Sequence, residues 1–137
     1  MTKKYLFDAS VILSYLLGET PGRVDKIKRL VEQSGRKKIK LLSSTLLPLE
    51  VANGLRFSLK DEPLAILALE TFLKLPIDYL PFTQAQHHEI LTLAYQLGTT
   101  VYDTSYHVLA KAHQATFITC DQEYFQKAKV LEHIELI

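Results

Sequence analysis

The stretch Tyr5-Leu6-Phe7-Asp8-Ala9-Ser10 constrains this chain more than any other. Apolar and aromatic residues run straight into a carboxylate, and a second apolar run, Val11 to Leu17, follows at once. The first run reads as a buried strand and the second as a helix. Asp8 then stands where the strand turns over into the helix, and in open α/β sheets that carboxyl edge is where ligands bind. What the residue does depends on which other acids the chain brings to the same edge.

The remaining sequence continues the alternation. Gly18 stops the first helix, Thr20-Pro21-Gly22 forms a turn, and Val24, Ile27, Leu30 and Val31 recur at helical spacing over 23–33. Arg36-Lys37-Lys38-Ile39-Lys40 is a basic connector into a short strand at 41–42. Ser43-Ser44-Thr45 supplies capping residues for a helix that carries Pro48 in its first turn and continues through Glu50, Val51, Leu55 and Leu59. Pro63 opens a further helix that Pro76 ends. A strand follows at 77–80, and Thr83 caps a helix closed by Gly98. Asp103 precedes a helix over 104–112, and the β-branched and aromatic run 115–119 is a buried strand ending at Cys120-Asp121. A short helix near 123–127 and an edge strand at 134–137 complete the chain. Strands alternating with helices imply an α/β fold, a parallel sheet with helices on both faces. No repeat, low-complexity segment or linker interrupts it, so a single domain over 1–137 is expected.

Composition narrows the function classes. A hydrophobic share of 47% excludes a disordered chain, and 137 residues suffice to bury roughly 70% of the unfolded surface. Sixteen basic against fifteen acidic residues leave a net charge of +1, which gives no support for strong electrostatic steering toward nucleic acid beyond a local patch. The lone cysteine, Cys120, has no internal disulfide partner and fits a reducing compartment. With neither a signal peptide nor a membrane span in view, a cytoplasmic protein is expected.

Four acids stand out. Asp8 and Asp121 each follow a strand, Asp103 lies where a helix begins, and Glu50 sits early in a helix among Leu46, Leu47, Leu49 and Val51. The three aspartates are also natural helix N-caps, a role that explains Glu50 less well. Strand-end acids of one parallel sheet meet at one edge. Carboxylates about 5 Å apart repel by roughly 3 kcal/mol per pair at an effective dielectric near 20. Such a cluster takes up protons or holds a cation, and oxygen-only ligands with open water positions suit Mg2+ or Mn2+.

With those residues in view, the chain resembles the PIN-domain family, and within it the VapC-type toxin ribonucleases. The matching pieces are Leu6-Phe7-Asp8-Ala9-Ser10-Val11-Ile12-Leu13, Leu49-Glu50-Val51-Ala52-Asn53, Tyr102-Asp103-Thr104-Ser105-Tyr106 with Leu109-Ala110, and Phe117-Ile118-Thr119-Cys120-Asp121. They spread over almost the whole chain, and their order and contexts fit. The resemblance implies a three-layer PIN-like domain with a parallel sheet of about five strands and an acidic Mg2+ or Mn2+ site. It places Asp8, Glu50, Asp103 and Asp121 in the family's four acid positions, with Glu123 as the substitute for Asp121. Ser10 and Thr119 match its accessory hydroxyl positions. It further implies endoribonuclease activity, a homodimer and inhibition by a small cognate antitoxin protein.

The mechanism expected on that basis has Asp8, Asp103 and Asp121 ligating one ion, directly or through water. Glu50 holds a second ion or orients the attacking water, which displaces in line to leave 5′-phosphate and 3′-hydroxyl ends. A phosphoacceptor receiver domain is excluded, since Asp8 lacks an acidic neighbour and the last strand is followed by no lysine. An Asp-x-Asp phosphatase is excluded by Asp8-Ala9-Ser10. The alternative to an enzyme is a catalytically silent PIN-fold binding or scaffold module in RNA metabolism.

Other features take ordinary readings. His107 lies four residues after Asp103 and is expected to be a surface or core histidine, and His87-His88-Glu89 lacks the spacing of a helical metal pair. Cys120 reads as a small buried residue with a raised thiol pKa. The basic residues of 23–29 and 36–40 read as solvated faces before RNA contacts. The leucines of 46–73 are expected in a core, with a groove or dimer surface as the alternative.

Overall fold

The computed structural model describes residues 2–137. Among them, five strands alternate with seven α-helices: β1 (Lys3–Phe7), α1 (Ala9–Leu17), α2 (Pro21–Gly35), β2 (Ile39–Ser44), α3 (Leu47–Ser58), α4 (Glu62–Leu73), β3 (Ile77–Leu80), α5 (Gln84–Leu97), α6 (Val101–Ala112), β4 (Thr116–Thr119), α7 (Gln122–Ala128) and β5 (Ile134–Leu136). The strands pair in the order β3-β2-β1-β4-β5, all parallel. This is the expected α/β architecture.

The strand order places the site. The chain builds outward from β1 through β2 to β3, then returns to add β4 and β5 on the other side of β1. Connections leaving β1 and β4 therefore diverge at their carboxyl ends and open a crevice there. Asp8 directly follows β1, and Asp121 follows β4 after one intervening residue. Right-handed crossovers put α1 to α4 on one face and α5 to α7 on the other.

Burial explains why the central strands read as nearly continuous apolar runs. Leu6, Phe7, Leu41, Leu42, Phe117 and Ile118 are buried between helix layers that contribute Val11, Ile12, Val51, Leu55 and Leu109. Helix α6 is the extreme case. Every residue from Thr104 to Ala110 is buried, and the helix touches β1, β2 and β4. Two glycines end helices in the left-handed conformation, Gly18 at φ 69° and Gly98 at φ 67°. At a third, Gly54 of α3, the end of the Leu13 side chain from α1 fills the space a Cβ would take.

Several local expectations are corrected. Pro21 and Gly22 open α2 instead of forming a turn, proline being favoured in a first helical turn. Ile39 and Lys40 belong to β2, where they pair with Lys3 and Lys4, so the basic connector is only Arg36 to Lys38. Ser43 and Ser44 are not caps but the buried end of β2, and the Ser43 hydroxyl donates to the Phe7 carbonyl at 2.6 Å. Helix α6 begins at Val101, capped by Thr100, so Asp103 is a first-turn residue and neither a cap nor a strand end.

Candidate active site

Asp8 is fixed from three sides. It is the N-cap of α1, with Oδ1 accepting from Val11 N at 3.1 Å and from Ser10 Oγ at 2.5 Å. Oδ2 accepts from Thr119 Oγ1 at 2.6 Å. Ser10 and Thr119 also knit β1 to β4, accepting from Cys120 N and Asp121 N at 3.0 Å each. The carboxyl is only 7% exposed. Burial pushes its pKa up to about 6 against the opposing hydrogen bonds, and Asp103 adds a smaller like-charge push in the same direction.

The other acids approach from different elements. Asp121 caps α7, its Oδ1 accepting from Tyr124 N at 2.9 Å. Glu50 lies in the first turn of α3, half-buried, and its Oε1 accepts a hydrogen bond from the phenol of Tyr106 across to α6. Asp103 projects from the first turn of α6. Burial raises the pKa values of Glu50 and Asp103 as well, with like-charge contributions from Asp103 on Glu50 and from Asp121 and Glu123 on Asp103. In each case burial is the larger cause and the neighbouring acid the smaller one. Thr100, Asp103, Asp121, Glu123 and Lys127 line one cleft of about 370 Å3.

Cations do little to neutralise this edge. Lys127 pairs with the exposed Glu123 at 3.4 Å and donates to the Gly98 carbonyl at 3.0 Å. Arg23, in the first turn of α2, has a buried Nε without a partner, and its charge is felt at Cys120. Burial is the main cause of the raised Cys120 thiol pKa, which does not favour a nucleophilic thiolate.

An oxygen-only donor set with raised carboxyl pKa values fits a hard divalent cation in its chemistry. The side-chain positions set a limit. Among the described residues no group of three or more His, Cys, Asp or Glu side chains is placed to share one ion. Mg2+ takes one or two carboxylates and keeps several waters, so Asp8, Glu50, Asp103 and Asp121 are the side chains that would hold one, directly or through water. Asp8 retains an acceptor position on Oδ2, which has a single hydrogen bond.

His107 belongs to the core. Its ring lies between Tyr124 Oη at 2.8 Å from Nδ1 and the Glu132 carbonyl at 2.7 Å from Nε2. Burial lowers its pKa, so the neutral ring donates from Nε2 and accepts at Nδ1. His87, His88 and Glu89 are exposed on α5. Arg36, Lys37 and Lys38 precede β2 and so lie at the amino edge of the sheet, opposite the acids. The residue that sequence reasoning missed is Tyr106. Its only signal is helical spacing, three residues after Asp103, and a tyrosine at that spacing is more often simple core.

Comparisons with known proteins agree with this architecture. The PIN domain family model matches residues 5–131. A sequence comparison with curated proteins gives no match. Among solved structures, VapBC2 from Rickettsia felis, bound to a DNA fragment from its promoter, superposes with a TM-score of 0.69 at 18% identity, covering 98% of this chain and 97% of that one. FitAcB from Neisseria gonorrhoeae gives 0.67 at 21% identity, covering 91% and 93%. VapC20 from Mycobacterium tuberculosis, a toxin that cleaves the sarcin-ricin loop, gives 0.63 at 11% identity, covering 85% and 87%. At these identities the likeness is one of fold. The family model, matching nearly the whole chain, carries membership: this chain belongs to the PIN-domain family.

Proposed function

We propose that the protein is a metal-dependent endoribonuclease, the toxin of a toxin–antitoxin pair, with Asp8, Glu50, Asp103 and Asp121 as its acid set. The observation that carries the reading is the cleft beyond the carboxyl end of β4, where Asp103 from α6 stands with Asp121 and Glu123. A bound Mg2+ or Mn2+ would supply an activated water and charge neutralisation at the phosphate. The chain's residues do the rest. Ser10, Thr119 and the Val11 amide hold Asp8, and Tyr124 N holds Asp121. Glu50, half-exposed and with Oε2 free of hydrogen bonds, would take a proton from a water or orient it. Lys127 and Arg23 are the cations available to an RNA backbone near the acids.

The same reading includes a cytoplasmic site of action, a homodimer and an antitoxin partner. Among the described residues no helix is long and apolar enough to cross a membrane. Leu49, Phe57, Ile66 and Leu67 on α3 and α4 are about half or more exposed, an apolar face of the kind partners cover. A toxin–antitoxin complex from Klebsiella pneumoniae shares the fold, which supports an antitoxin partner here.

The test is cleavage of total RNA with Mg2+ or Mn2+, with chelator, and by Asp8→Asn. The reading expects chelator-sensitive cleavage and a loss of at least about 100-fold in Asp8→Asn. Chelator-resistant cleavage, or a wild-type rate in Asp8→Asn, would overturn it. RNA binding without cleavage would favour the silent binding module.

A further inference from the structure

Each acid at the crevice has its own support, and Glu50 has the least usual one. Asp8 and Asp121 are held mainly from within their own caps, with Thr119 reaching Asp8 from β4. Glu50 follows a helix start without a side-chain cap, at Leu46. Among the described residues the one hydrogen bond to its carboxylate comes from Tyr106, 56 positions away. A glutamate has three side-chain torsions, and ordering it costs up to about 2 kcal/mol unless something holds it.

Tyr106 is built to hold it. The residue is 1% exposed, and its ring stacks on Phe117 of β4 with centroids 6.1 Å apart and planes 18° apart. It lies one helical turn after Asp103, so the same helix carries the central acid and the donor that fixes Glu50. A buried phenol needs some partner, and a backbone carbonyl would serve. Here the partner is a half-exposed carboxylate that water would otherwise solvate. The bond therefore satisfies the buried hydroxyl and at the same time restricts Glu50.

We propose that Tyr106 is a positioning residue for the acid site. Its hydroxyl holds one oxygen of Glu50, leaves the other without a hydrogen bond, and couples α3 to α6 so that Glu50 and Asp103 act on the same cation. This rests on the metal-dependent reading above.

A double-mutant cycle tests it, with Mn2+ affinity measured by calorimetry in wild type, Tyr106→Phe, Glu50→Gln and the double variant. Tyr106→Phe keeps the buried ring and is expected to weaken Mn2+ binding about 10-fold. Its RNA cleavage should fall in kcat with KM within about twofold. In the double variant Tyr106→Phe should add nothing to Glu50→Gln, because the hydroxyl acts through that carboxylate. Glu50→Asp, one methylene too short to reach the phenol, should lose a similar factor and be insensitive to Tyr106→Phe. Unchanged Mn2+ affinity in Tyr106→Phe, or additive losses in the cycle, would overturn the role of Tyr106 while leaving the nuclease reading intact. Absence of Mn2+ binding by the wild type would overturn both.

Discussion

Burial and hydrogen bonding pull the Asp8 carboxyl in opposite directions. Burial wins, and the group moves from its ordinary 3.8 to about 6. Without metal the folded protein therefore keeps this proton to higher pH than the unfolded chain does. Its contribution to stability is largest below pH 4, declines as pH rises toward 6, and is lost above. A displacement of that size corresponds to about 3 kcal/mol. Urea unfolding in chelator should show wild-type stability falling between pH 4 and pH 6.5 relative to Asp8→Asn, whose profile lacks this component. Parallel profiles would show that Asp8 ionises normally. Glu50 and Asp103 are raised for the same reason and add to the decline in the same direction. Asp103→Asn, at a half-exposed first-turn position, should leave the fold intact and lower RNA cleavage by at least about 100-fold. Circular dichroism and the cleavage rate measured together check both halves.

Elements bring these residues together, and here the α1–α3 contact matters most. Helix α3, which carries Glu50, packs on α1, which Asp8 caps, with the Leu13 side chain lying over Gly54. Gly54→Val would have to displace the end of Leu13 and should destabilise by about 1 kcal/mol, read as a lower urea midpoint. His107 joins α6 to α7 and to the turn before β5, so His107→Phe should cost about 2 kcal/mol by removing both ring hydrogen bonds. The elements themselves were largely legible in the sequence. Buried parallel strands read as short apolar runs, and Gly18, Pro48, Thr83 and Gly98 marked helix ends as capping chemistry requires. Where the reading slipped, two local meanings competed. Ser43-Ser44 look like caps but fill the buried end of β2, and Asp103 looks like a cap because Thr100, also a capping residue, lies three positions earlier. The four acids were visible as residue types. Their supports were not, because the Tyr106–Glu50 contact joins α6 to α3 and leaves no local pattern in the chain.

At the scale of the whole molecule, strand order turns scattered acids into neighbours. Returning the chain to β1 after β3 puts β4 beside it, so Asp8 and Asp121 follow neighbouring strands at the sheet's C-terminal edge. A fold that carries this unneutralised charge should gain from a cation. At pH 7, Mn2+ at 100 times its dissociation constant should raise stability by about 2.7 kcal/mol, seen as a higher melting temperature. The apolar face of α3 and α4 should make the chain self-associate, so Ile66→Glu and Leu67→Glu together should shift sedimentation toward monomer. If the acids bind a cation with Asp103 among its ligands, Mn2+ calorimetry at pH 7 should show saturable binding by the wild type and affinity at least about tenfold weaker in a folded Asp103→Asn; equal affinity in the two proteins, or no binding by the wild type, would show that Asp103 holds no cation.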